Sequence, residues 1–136
     1  MKEAVRAKLN AISEGQAGRL EGRYEEILKR HLLTNLETWR LLQRNGVDEY
    51  SEVRLNFFFY TSEEEAANAL YDYLQSETEY DLEMEKKGLL KKTWRISGAT
   101  QPTAISLIIL NDWVRWMVSA GARHNCEFHG WGTGIA

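Results

Sequence analysis

The spacing of apolar residues changes from a helical to an alternating period across Asn45-Gly46, and neither an all-helical nor an all-strand chain satisfies both periods. Ahead of that point, Leu20, Tyr24, Ile27, Leu28, His31, Leu32, Leu36, Trp39 and Leu42 fall on one helix face, with Glu21, Glu25, Glu26 and Arg30 between them. This predicts a long amphipathic helix from Arg19, stopped by Asn45-Gly46. Beyond it, Val53, Leu55, Phe57 and Phe59 alternate with Arg54, Asn56, Phe58 and Tyr60, and the aromatic bias predicts a strand.

The remaining elements follow in a readable order. Ser62 and Glu65 have the spacing of a capping box, and Glu63, Glu64 and Glu65 sit at the positive end of the helix dipole, so Thr61 or Ser62 is expected to cap a helix. Its apolar face is Ala66, Ala67, Ala69, Leu70, Tyr73 and Leu74. Tyr80, Leu82 and Met84 then alternate with Asp81, Glu83 and Glu85, and Leu90 to Ile96 returns after Lys87-Gly88 as a second strand. A three-residue loop would set Glu85 opposite Lys91, Glu83 opposite Thr93, Asp81 opposite Arg95, Leu82 opposite Trp94 and Tyr80 opposite Ile96. Opposite charges across such pairs contribute a few tenths to about 1 kcal/mol each, which favours this register. Pro102 suits the first turn of a final helix carrying Ile105, Ile109, Trp113, Trp116, Met117 and Ala120, and Leu107, Leu110, Val114 and Val118 widen its apolar surface. The sheet, the N-terminal helix or a second subunit would cover it. Cys126 to Phe128 reads as a last short strand leading into Gly130-Trp131-Gly132-Thr133-Gly134.

The order is helix, then β-α-β-β-α-β: an α+β, ferredoxin-like split βαβ sandwich with an antiparallel four-stranded sheet. Residues 1–45 form a helical arm and 46–136 the ferredoxin-like domain, while the first eighteen residues, with Val5, Leu9 and Ile12 interrupted by Gly15 and Gly18, read as a short, weakly held segment. In strand order 4-1-3-2 the open face carries Arg54, Asn56, Phe58 and Tyr60 centrally, with Lys91, Thr93 and Arg95 beside them. Acids line one edge, and Glu127 and His129 the other.

Charge is unevenly divided. The chain's net charge is −3, yet residues 1–45 hold nine bases and six acids for +3, leaving −6 for the rest. Thr61 to Glu85 holds nine acids and no base, which disfavours phosphate-backbone binding there. No apolar run reaches the roughly 18 to 20 residues of a membrane span, and the N-terminus lacks the apolar core of a secretory signal, so a cytoplasmic protein is expected. Three histidines and the single Cys126, without CxxC or HExxH spacing, predict no metal and no cofactor.

Glu127-Phe128-His129-Gly130-Trp131-Gly132-Thr133 resembles the end of the last strand in the regulator of ribonuclease E activity B family, whose members carry Tyr-Asp-Gly-Trp-Gly-Thr. The Asn45-Gly46-x-Asp48 turn, the Phe-rich strand, the alanine-containing helix, the Tyr-x-Leu/Val-Glu strand and the final helix keep the family's order from roughly Leu36 to Thr133. His129 stands where the family has Asp, and no long acidic tail follows Thr133. The resemblance implies a cytosolic, non-enzymatic inhibitor that binds the endoribonuclease ribonuclease E and changes which transcripts it degrades.

Candidate partner-binding residues are Glu63, Glu64, Glu65, Asp72, Glu77, Glu79 and Glu83, the acids expected to remain unpaired, together with Phe58, Tyr60 and Trp131. Each has an alternative. The acids form either a solvated face or a surface that steers a basic partner. Trp131 either folds over the sheet edge or core or anchors a partner. Phe58 and Tyr60 could stack bases, but the third strand lacks the Gly-Phe/Tyr-rich signature of an RNA-recognition sheet and the nearby charge is acidic. The N-terminal arm, a dimer partner or a client protein are the other covers. A nucleophilic Cys126 between His124 and His129 is disfavoured, because alternation sends Cys126 to the core with Phe128. His31 on the apolar helix face reads as a structural histidine, and Asp112 as a polar contact to another helix. The expectation is therefore no enzyme. Small-ligand or dimeric ferredoxin-like domains, and immunity-type inhibitors of toxin nucleases, are the alternative functions.

Overall fold

The computed structural model describes residues 19–88 and 92–133. The expectations for residues 1–18, Leu90 and Lys91 lie outside them. Three helices and a four-stranded sheet follow in the predicted order: α1 (Arg19–Arg44), β1 (Leu55–Thr61), α2 (Glu64–Glu77), β2 (Asp81–Lys87), β3 (Thr93–Ala99), α3 (Leu107–Arg123) and β4 (Glu127–Thr133). The chain divides into two compact units, Met1–Ser51 with Ala104–Arg123, and Glu52–Thr103 with His124–Ala136.

In the first unit α1 packs on α3. Helix α1 ends where the sequence indicates, because Gly46 takes a φ of 91° that other residues rarely adopt. That lets the Val47 and Gly46 amides donate back to the Leu42 and Gln43 carbonyls, at 3.0 and 3.1 Å. Asn35 is fully buried on α1, and its Nδ2 donates to Asn111 Oδ1 of α3 at 3.0 Å. A buried amide without such a partner would cost about 1–3 kcal/mol, so this pair fixes how the helices meet. Nine residues of α3 between Leu110 and Gly121 are buried, Trp113 and Trp116 among them. The helix starts later than Pro102 suggests. Thr103–Ala104 is extended, Ile105 is buried, and Ser106 Oγ accepts the Ile109 amide at 3.2 Å as the cap.

The second unit is the sheet with α2 on one face. Strand order is β2-β3-β1-β4 with antiparallel pairing throughout, the order expected of the ferredoxin-like arrangement. Strand β1 alternates strictly: Leu55, Phe57, Phe59 and Thr61 are buried, whereas Asn56 is exposed and Phe58 and Tyr60 are half-buried. Ala66, Ala67, Leu70 and Leu74 of α2 are buried with Phe57, Phe59, Ile96 and Phe128. Helix α2 is capped differently from expectation. It begins at Glu64 after an extended Glu63, with no side-chain cap, so the Ser62-Glu65 box does not form. Instead Thr61 Oγ1 accepts the Glu63 amide at 3.2 Å and donates to the Asn125 carbonyl at 3.0 Å.

The hairpin keeps its faces but not its register. Glu85 lies opposite Arg95, Glu83 opposite Ser97, Met84 opposite Ile96, Leu82 opposite Gly98 and Asp81 opposite Ala99. Tyr80 precedes β2 and sets its ring against Phe57, 5.2 Å between centroids. The reason lies in the central pair. Phe57 is opposite Gly98, and a Cβ there would come within 2.7 Å of the Phe57 ring and 2.5 Å of the Asp81 carbonyl oxygen. Only glycine fits at that point. Reciprocal bonds between Leu55 and Thr100, 2.9 and 3.0 Å, lock the same register at the strand end. Counting opposite charges across the hairpin favours the expected register, two pairs against the one, Glu85 with Arg95, that forms, so packing outweighs charge here.

Gly98→Ala is therefore expected to lower stability by about 1–3 kcal/mol in urea denaturation, because the clash is with backbone and a packed ring. Gly132→Ala, where an added Cβ meets nothing within 4 Å, should stay within about 0.5 kcal/mol of the parent. Equal midpoints for the two variants would show that the close approach of Phe57 does not set the register.

Candidate partner-binding face

Because β1 alternates, its even-numbered residues gather on the sheet face away from α2. The cross-strand rows there read Glu85, Arg95, Tyr60, Glu127 and then Glu83, Ser97, Phe58, Gly130. Phe58 and Tyr60 meet edge to face, 5.9 Å between centroids, and His129 lies 4.6 Å from Tyr60 and 6.3 Å from Phe58. On the other side the Arg95 guanidinium sits 5.2 Å above the Phe58 ring. The result is an aromatic cluster that is half-buried by its own neighbours yet still reaches solvent.

The charges around it are arranged in pairs. Arg54 Nη2 donates to Asp81 Oδ2 at 2.6 Å, while its Nε donates to the Thr100 carbonyl at 3.1 Å. Glu85 Oε1 lies 3.7 Å from Arg95 Nη1 and 3.5 Å from Lys87 Nζ. His129 Nε2 lies 3.0 Å from Glu127 Oε2. The expectation that Arg95 would pair with Asp81 is thus replaced by Arg95 with Glu85 and Arg54 with Asp81. Arg54 is the residue that charge alternation in the hairpin could not reveal, because its partner lies two strands away. A depression of about 660 Å³ lies on this face, bordered by Arg54, Phe58, Asp81, Glu83, Ser97 and Gly132 among others.

The last strand runs through the glycine-rich segment instead of stopping at Phe128. Phe58 is opposite Gly130 and Phe59 opposite Phe128, so His129 is the extra residue of a β-bulge. Gly130 accommodates it with a φ of 144°. The bulge reverses the alternation. Trp131 comes opposite Phe57, on the α2 side, and not beside Phe58; half-buried at the sheet edge, it borders the depression. Gly132 and Thr133 continue the strand opposite Asn56 and Leu55.

The candidate acids separate into two groups. Glu83 shares the open face with Phe58 and Tyr60. Glu64, Glu65, Asp72 and Glu77 are exposed on α2, across the sheet from that face, and Glu79 is exposed beyond the helix end. Glu63 Oε2 accepts the Asn125 Nδ2 amide at 2.8 Å at the α2 N-terminus. The sheet therefore brings three of the candidate residues together and holds the helix acids apart.

Cys126 is buried, and its Sγ donates to the Ala66 carbonyl at 3.5 Å. Burial, with the Glu63 charge adding to it and the Thr61 contact opposing it, pushes the thiol up to about 12. A thiol held protonated is a poor nucleophile. Among the described residues no group of three or more His, Cys, Asp or Glu could hold a metal ion, and no helix is long and apolar enough to cross a membrane.

A family model described as regulator of ribonuclease activity B matches residues 34–133. No curated protein matches the chain. The chain belongs to the regulator of ribonuclease activity B family, whose role is regulatory and not catalytic.

Desolvation raises the folded-state pKa of both Cys126, from 9.0 to about 12, and Tyr24, from 10.0 to about 12. Above the unfolded-state value the unfolded chain binds fewer protons, so stability is full below about pH 9 and falls as pH rises toward 12. Urea denaturation from pH 9 to 11 should show this decline, shallower in Cys126→Ala by about 1.4 kcal/mol per pH unit. An identical slope in parent and variant would mean that the buried thiol does not resist ionisation.

Proposed function

We propose that this member of the family inhibits a ribonuclease E-type endoribonuclease in the cytoplasm, binding it as a protein without catalysis and without contacting RNA itself. The observation that carries this reading is the open sheet face. Phe58 and Tyr60 offer half-exposed aromatic surface, the residue type favoured as an interface anchor, inside a rim of Glu83, Glu85 and Glu127. With Asp81, Glu85 and Glu127 beside basic partners, Glu83 is the carboxylate left to complement a basic protein segment.

The acids of α2 have a different role in this proposal. Glu64, Glu65, Asp72, Glu77 and Glu79 act with Glu63 at a distance, raising the local potential that draws a basic partner in. They change how fast the complex forms more than how long it lasts. Trp131, at the edge of the depression, extends the contact beyond the aromatic cluster.

The test is inhibition of the ribonuclease E-type enzyme of the same organism by the purified chain. Phe58→Ala with Tyr60→Ala should weaken inhibition about tenfold or more, as expected for central anchors, with an unchanged circular dichroism spectrum. Glu65→Lys with Asp72→Lys should slow association several-fold at low salt, an effect that shrinks toward 0.5 M salt as screening sets in. Inhibition that survives removal of both aromatic rings would overturn the open face as the docking surface.

A further inference from the structure

Within the open-face depression, one acid differs from its neighbours. Strand β2 presents Asp81, Glu83 and Glu85 on the same side. Asp81 is held by Arg54, and Glu85 by Arg95 and Lys87. Glu83 stands opposite Ser97, which carries no charge, and Ser97 stands opposite Phe58. Among the described residues the side chains of Glu83, Ser97 and Asn56 make no hydrogen bond or ion pair, and all three line the depression.

We propose that this depression is a receptor for a single arginine side chain of the partner protein, with Glu83 as its carboxylate. A guanidinium presents a planar fork of donors. The Glu83 carboxylate, the Ser97 hydroxyl and the Asn56 amide oxygen supply acceptors along adjacent strands, beside the Phe58 ring that the Arg95 guanidinium covers on one side. Arg54 is held by Asp81 and the Thr100 carbonyl, and Glu83 repels an anion; Arg95, whose Nε has no hydrogen-bond partner, stays oriented over Phe58 and toward Glu85. The volume of about 660 Å³ is ample for one long side chain with its flanking backbone. This rests on the reading of the open face as a protein-docking surface, and gives that surface its chemical selectivity.

A peptide probe tests the site without any ribonuclease. The 15N-labelled full chain is titrated with acetyl-Gly-Gly-Arg-Gly-Gly-amide, and in parallel with the same peptide carrying citrulline, the uncharged isostere. The arginine peptide should shift the backbone amides of Ser97, Gly98 and Gly132 with millimolar affinity, and binding should weaken about fivefold or more with citrulline or in Glu83→Gln. Glu37→Gln, exposed on α1, should leave the response unchanged. Equal responses to the two peptides, an unaltered response in Glu83→Gln, or shifts confined to α2 would each overturn the proposal. If the peptide binds as stated but ribonuclease inhibition ignores Phe58 and Tyr60, the arginine site stands and the docking reading fails. If inhibition needs the rings but no peptide shift occurs, the docking reading stands and the arginine site fails.

Discussion

Phe57 lies so close over Gly98 that no side chain fits at that position, and this contact ties β3 to β1 on one side and to β2 on the other. Once Phe57 is opposite Gly98, the two-residue period of β1 fixes every other placement. Odd-numbered residues go to the α2 side, and Asn56, Phe58 and Tyr60 go to the other. A slip of one residue would bury Asn56 and expose Phe57 and Phe59, which burial of those rings forbids. The open face is thus a by-product of core packing: burying Phe57 and Phe59 leaves Phe58 and Tyr60 on the other side.

The second determinant is the bulge at His129. By inserting one residue opposite the Phe58 to Phe59 step, it places His129 against Tyr60 and sends Trp131 toward the Phe57 side. Without it, strict alternation would put Glu127, His129 and Trp131 on one face. Bulges re-aim side chains at sheet edges, and here the glycine that permits one is part of the Gly130-Trp131-Gly132-Thr133 run carrying the family resemblance. That run therefore does structural work at the rim of the open face, whatever else Trp131 touches.

Element order and sheet faces were legible because they depend on period and parity alone. Phe58, Tyr60, Glu83, Arg95, Glu127 and His129 were all placed on the correct face from alternation. What failed depended on distances that no local pattern encodes. The hairpin charges favoured the register that does not form, because the close approach at Gly98 involves Phe57 of β1, some forty residues away in the chain. The Ser62-Glu65 capping box and the Pro102 helix start were locally plausible. Each lost to a nearby alternative: Thr61 was already bonded to Asn125, and Ser106 gave α3 a cap after the buried Ile105. The Asn35 to Asn111 bond was invisible for the same reason, since nothing near either residue names the other.

If the open face docks a partner as proposed, its matched charges would let it be selective. If Asp81, Glu83 and Glu85 were all unpaired, any cation would be drawn to the edge and screening would remove most of the preference. With Asp81 and Glu85 held by arginines, a partner need not break existing ion pairs to dock, and one carboxylate remains to reward a correctly placed cation. On the proposed reading, affinity would come chiefly from apolar contact with Phe58 and Tyr60, and discrimination from whether the partner brings a positive charge to Glu83. A segment lacking that charge would bury Glu83 unpaired, which costs more than a missed attraction, so such a site would reject wrong partners more strongly than it favours right ones.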